Sequence, residues 1–162
     1  MLSLNFFIIM TKIKNSNRFL NIVKIFYAIA SDIDYIISYY PGSYRKMIFA
    51  TGIDWKELDF TPGTAKFQEQ SKRVAAGKYY EQKLTFNFPG DSIESYPDME
   101  IIRSNKLIIR FDYEDATSKI IGDKDYRTLL DEDFLADKNT TKNELQFFCN
   151  HPDKSYWLEI TQ

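Results

Sequence analysis

Cysteine and histidine are nearly absent: Cys149 and His151 are the only ones among 162 residues. A single cysteine excludes an internal disulfide, and a single histidine excludes multi-histidine metal centres and most histidine-based catalysis. Glycine is scarce too. The six glycines form no Gly-x-Gly pattern, so there is no phosphate-cradling loop. Charge is nearly balanced, at −2, which gives no global pull toward nucleic acid or an anionic membrane. No apolar run approaches the roughly 20 residues that a spanning helix needs. An unpaired thiol fits synthesis in a reducing cytoplasm.

What the chain has in excess is aromatic side chains, 13 Phe and 11 Tyr. Aromatic residues favour strands and buried sheet faces. The length suits one domain with a proper core. Leu2 to Ile9 is apolar, with Lys12 and Lys14 after it, the reverse of a secretory signal. We therefore read residues 1–14 as an extension or a mis-assigned start, with Met10 as an alternative initiator, and residues 15–162 as a single β-rich domain.

The stretch from Phe60 to Gly90 organises the rest. Pro62-Gly63 opens it, Ala65 and Phe67 share one face, and the chain then turns polar through Arg73. Val74-Ala-Ala-Gly77 is the expected turn, and Leu84, Phe86 and Phe88 alternate on the return arm. This pattern predicts a long hairpin with an apolar base. A polar part of about eight residues per arm would reach about 25 Å beyond that base. Its basic tip, Lys72, Arg73 and Lys78, has no evident partner within the chain.

Before the hairpin, Arg18 to Ala30 reads as a strand, Ser31-Asp32 as the cap of a short turn through Ile37, and Lys46–Thr51 and Trp55–Thr61 as strands. After it, Asp91-Ser-Ile-Glu94 matches a capping box. Ile93, Tyr96, Met99 and Ile102 then supply a helical stripe that Pro97 threatens to split. Lys106 to Tyr113 reads as the central strand, paired with Ser118–Ile121. Tyr126 to Leu135 fits neither pattern clearly, Ala136–Thr141 reads as a loop, and Asn143–Cys149 and Tyr156–Ile160 read as closing strands. The expected fold is mainly β: an antiparallel β-sandwich or partly open barrel of eight or nine strands, with one short flanking helix and a long protruding β-hairpin.

No residue set stands out as catalytic, cofactor-binding or metal-binding. The carboxylates at Asp112, Glu114, Asp115, Asp123, Asp125, Asp131, Glu132 and Asp133 lack the glycine-centred spacing of a calcium loop and read as solvated turn residues. Cys149 and His151 read as a packed thiol and a turn histidine, because nothing completes a zinc site or a nucleophile–base pair. Tyr79 and Tyr80 beside Lys72, Arg73 and Lys78 fit base stacking less well than cross-strand pairing.

Phe60-Thr-Pro-Gly-Thr, Gly77-Lys-Tyr-Tyr-Glu-Gln-Lys-Leu-Thr-Phe, Asn87-Phe-Pro-Gly90, Ile109-Arg-Phe-Asp-Tyr113 and Lys119-Ile-Ile-Gly122 resemble segments of uncharacterised prophage-encoded proteins from gut bacteria. The element order over Phe26 to Ile121 also resembles the tail-tube family of long-tailed phages. That resemblance implies a β-sandwich with a flanking helix, whose hairpin packs against neighbouring subunits in stacked rings. It brings no active-site residues.

The expected function is therefore non-enzymatic: a virion structural protein of a phage or prophage, a tail-tube or tail-completion component. Its assembly interface would comprise Phe67, Gln70, Lys72, Arg73, Lys78, Tyr79, Tyr80 and Glu81. Its partners would be further copies of itself and other virion proteins, with no sequence-specific nucleic acid, membrane or cofactor. It would be made in the host cytoplasm and end in the virion. Two other classes compete. A ligand-binding barrel or sandwich requires an aromatic-lined pocket, and an enzyme requires Asp112 or Asp123 inside a concave site with shifted ionisation.

Overall fold

A computed structural model describes residues 20–39, 44–89, 96–136 and 141–159. Within them are β1 (Ile22–Ile29), β2 (Ile33–Tyr39), β3 (Tyr44–Phe49), β4 (Lys56–Leu58), β5 (Lys66–Val74) and β6 (Gly77–Phe88). Helix α1 (Tyr96–Ser104) follows, then β7 (Leu107–Tyr113), β8 (Ser118–Ile121), β9 (Leu129–Ala136), β10 (Thr141–His151) and β11 (Tyr156–Leu158). The strands form a seven-stranded sheet, ordered β2-β3-β11-β8-β7-β1-β4, and a four-stranded sheet, ordered β5-β6-β10-β9. The fold is mainly β, as the composition requires, and neither sheet closes into a barrel.

The larger sheet is nonetheless strongly curled. Positions of β1 and β2 in the strand order lie five places apart, about 24 Å in a flat sheet. Their connection is the single 3₁₀ turn Ala30–Asp32, which spans at most about 14 Å from Ile29 to Ile33. The sheet must therefore bend round to bring β2 back toward β1. Two main-chain bonds hold the bend, Ala30 N to Lys106 O and Ala50 N to Asp32 O, at 2.9 and 3.0 Å.

Curling gives the sheet two buried faces and the protein two cores. Leu107, Ile109 and Phe111 of β7 face the smaller sheet, packing with Ile25, Tyr27, Leu84, Phe86, Leu145, Phe147, and Met99 and Ile102 of α1. Ile108, between them in sequence, faces the other way, into Ala28, Ile33, Met47, Ile120, Tyr156 and Leu158. This explains why β7 reads as a nearly continuous apolar run: it is buried on both sides and flanked by β8 and β1. Aromatic rings fill the inter-sheet core, Phe86 lying 5.8 Å from Phe147 and 6.1 Å from Phe60.

Several expectations are corrected. The turn expected through Ile37 is strand β2, with Ile33 buried at the bend, and Ser31-Asp32 lie within the 3₁₀ turn Ala30–Asp32 that precedes it. Pro97 does not split α1, which runs unbroken from Tyr96 to Ser104 with Pro97 near its described start. The capping box Asp91–Glu94 lies outside the described residues, as do residues 137–140 of the expected loop. The ambiguous Tyr126–Leu135 segment supplies β9. Strands β10 and β11 close different sheets, and β11 runs parallel to β3, one parallel joint in an otherwise antiparallel fold.

The hairpin forms at the expected turn, with Val74 paired to Gly77, whose φ of 132° suits glycine. It projects far less than about 25 Å, because β10 runs alongside β6 from Phe88 to Tyr80. Gly77, Lys78 and Tyr79 alone extend past that ladder, so the free ribbon is about 10 Å long.

Candidate functional site

At the hairpin tip every residue from Ser71 to Lys78 is exposed. The cross-strand register places Lys72 opposite Tyr79 and Arg73 opposite Lys78. The latter pair sets like charges directly across from each other, an arrangement that weakens a ribbon. The tip is not wholly without internal partners, contrary to expectation. Lys72 Nζ lies 2.7 Å from Glu81 Oε1, which raises the Lys72 pKa, and Lys78 Nζ sits 4.9 Å over the Tyr80 ring.

The structure thus gathers Lys72, Arg73, Lys78, Tyr79 and Glu81 at one end, with Gln70 exposed just behind them. It separates Phe67, whose ring packs 4.8 Å from Phe111 at the inter-sheet core. Tyr80 is half-buried within the sheet, between Ser71 and His151. Phe67 and Tyr80 hold the arm's base, and the four charged residues present its end.

Sequence reasoning missed a buried polar cluster at the junction of the two sheets. Asp123 follows β8, and its Oδ1 accepts the backbone N–H groups of Asp125 and Tyr126, both at 2.8 Å. Its Oδ2 accepts Arg45 Nη1 at 3.1 Å and lies 2.9 Å from His151 Nε2. The Asp153 N–H donates to His151 Nδ1 at 3.0 Å, leaving the ring proton on Nε2 for Asp123. Arg45 Cζ lies over the Tyr156 ring, 3.5 Å from its centroid, and the Tyr156 hydroxyl donates to Asp153 Oδ2 at 2.6 Å. Gln82 Nε2 completes the set by donating to Asp153 O.

Burial raises the Asp123 pKa, but the bonds from His151, the two amides and Arg45 outweigh it and hold the carboxyl well below the usual range. Cys149 is pushed the other way, up to about 12, by burial and by the Asp123 charge, and its Sγ approaches Tyr126 O at 3.6 Å. Asp123 and His151 are therefore not solvated turn residues. Asp123 is 9% exposed and His151 2%. Both histidine nitrogens are engaged within the chain, so the cluster ties β3, β8 and β11 to β10; it does not present a base to a substrate.

The remaining acidic residues divide by environment. Glu114, Asp115, Asp125, Asp131 and Asp133 are exposed, as expected. Asp112 is not: it forms a two-point pair with Arg110, at 2.7 and 2.6 Å, and accepts from Ser118 Oγ. Lys119 is also drawn inward, lying 4.7 Å over Trp157 and donating to Ser155 Oγ, and burial lowers its pKa. A shallow groove of about 450 Å³ lies between the end of α1 and β9, lined by residues such as Ile102, Arg103, Lys106, Arg127 and Leu129. Among the described residues no aromatic side chain lines it.

Among the described residues no group of three or more His, Cys, Asp or Glu side chains is placed to hold a metal. No described helix is long and apolar enough to cross a membrane. No protein-family model, curated protein or solved structure matches the chain.

Proposed function

We propose that this chain is a self-assembling structural protein of a phage or prophage virion, a tail-tube or tail-completion component that contacts its neighbours through the β5–β6 hairpin. The observation that carries this reading is the tip itself. Arg73 stands opposite Lys78 with Lys72 alongside, a concentration of positive charge that the single Lys72–Glu81 ion pair only partly offsets. An acidic surface on another subunit would turn that internal repulsion into intermolecular attraction. The segments resembling prophage proteins supply the virion context, and the half-buried base would transmit force from the tip into the core.

Replacing Lys72–Tyr79 with a two-residue turn tests the reading without touching the Ser71–Tyr80 pair. Light scattering on a size-exclusion column should show concentration-dependent oligomers for the full chain and monomers for the shortened one. A full chain that stays monomeric, or a shortened chain that assembles equally well, overturns it. Capsid, tape-measure or baseplate genes beside the coding sequence would place the assembly in a virion.

The ligand-binding alternative gains no comparable support. The aromatic rings pack against one another between the sheets, and the groove beside α1 has a mixed, charged lining.

A further inference from the structure

We propose that copies of this chain join head to tail through the four-stranded sheet, β5 of one copy adding to the open edge of β9 in the next. This rests on the self-assembly reading above and names the surface that the basic arm meets. Among the described residues, strands β5 and β9 are the two edges of that sheet, nine and eight residues long, and neither contains proline. Such edges are ready templates for a further strand.

Their charges are opposite. Edge β5 carries Lys66, Lys72 and Arg73, and its carboxylate, Glu69, is turned inward to accept the Ser155 N–H. Edge β9 carries Asp131, Glu132 and Asp133 and no cation. Charge of one sign on both edges would keep copies apart, whereas opposite signs draw them together in one orientation. Pairing β5 with β5, or β9 with β9, would set like charges face to face. A two-fold joint is thereby disfavoured relative to a head-to-tail one.

Geometry agrees with charge. All three ladders of the sheet are antiparallel, and four is an even number of strands. A neighbour related by rotation about an axis along the strands therefore presents β5 antiparallel to β9, continuing the alternation. The faces also match. Phe67 and Glu69 point toward the other sheet, which leaves Gln70 and Lys72 outward. Leu130 joins the core and Glu132 reaches Arg103 of α1, which leaves Asp131 and Asp133 outward. One register pairs all eight residues of 129–136 with residues 67–74 and keeps outward residues opposite each other. It sets Lys72 against Asp131 and Gln70 against Asp133.

Edge-reversal variants test this, with assembly read by sedimentation velocity at low and high salt. Asp131→Lys/Asp133→Lys alters β9 and leaves the hairpin intact. Lys72→Glu/Glu81→Lys reverses the arm while keeping its internal ion pair. Each alone should raise the concentration needed for assembly by roughly tenfold or more, and combining all four substitutions should restore it. Should the β9 reversal lose cooperative unfolding, Asp131→Asn/Asp133→Asn replaces it, with a several-fold weakening expected. If the full chain assembles, the shortened hairpin abolishes assembly and neither β9 variant changes it, this joint is wrong and the hairpin reading stands. A full chain that is monomeric at every concentration removes both.

Discussion

At the scale of single residues, Asp123 carries the largest electrostatic consequence. It is the shared acceptor for Arg45 and His151, so Asp123→Ala leaves a buried guanidinium uncompensated. Denaturant unfolding should show a loss of about 3–5 kcal/mol. The folded pKa of Asp123 lies below its unfolded value, near 3.9. Between those values the unfolded chain binds more protons, so this contribution is fully present above about pH 4 and is lost as pH falls. The wild type should thus lose stability below about pH 4 more steeply than Asp123→Asn. Cys149 gives a second prediction: its burial and a thiol pKa of about 12 should make it inert to a thiol-specific disulfide reagent at pH 8 until denaturant is added. Rapid labelling of the native protein would contradict the packing described. The packed Cys149 was legible in sequence, but the Asp123 cluster was not, because Arg45, Asp123 and His151 are scattered along the chain and converge only where the two sheets meet.

At the scale of elements, legibility followed periodicity and turn chemistry. The hairpin, β7 and the β7–β8 pair were readable because apolar residues alternate and turn residues bound them. Strand β2 was not, since Ser31-Asp32 imitates a helix cap and its role at the sheet's bend is tertiary. Turn chemistry also yields an opposed pair of predictions. Gly122 has a φ of 80°, and a Cβ there would lie 2.5 Å from Thr128 Oγ1 and 3.1 Å from Tyr126 O. Gly122→Ala should destabilise by at least about 1–2 kcal/mol, and more if the Asp123 turn shifts with it. Ala116, in the β7–β8 turn, has a φ of 63° that glycine accepts more readily. Ala116→Gly should be neutral or stabilising by up to about 1 kcal/mol, the relief of strain offsetting the added freedom of the unfolded chain. Thermal unfolding of both variants checks the signs, and a stabilised Gly122→Ala would refute the tight turn.

At the scale of the whole molecule, the strand order is the constraint that composition could not reveal. The sequence predicts two neighbouring closing strands, but β11 leaves β10 and inserts between β3 and β8. Its Tyr156 and Leu158 are buried in the core inside the curled sheet, each contributing about 1.5–3 kcal/mol. Truncation after Ser155 removes both and leaves β3 without its bridge to the rest of the sheet. The two side chains alone account for about 3–6 kcal/mol, which with the lost β3 joint is a large share of a typical domain's stability, about 5–15 kcal/mol. Calorimetry should show no cooperative transition for the truncated chain, and dye binding should report exposed apolar surface; a retained sharp transition would show that β11 is dispensable. The same insertion has a meaning for biosynthesis. While a ribosome is still making the segment after His151, the first hundred and fifty residues can form hairpins but cannot join β3 to β8. Until β11 is made and pairs, the larger sheet therefore exists as two separate pieces, β2-β3 and β8-β7-β1-β4, and this one short strand is what joins them.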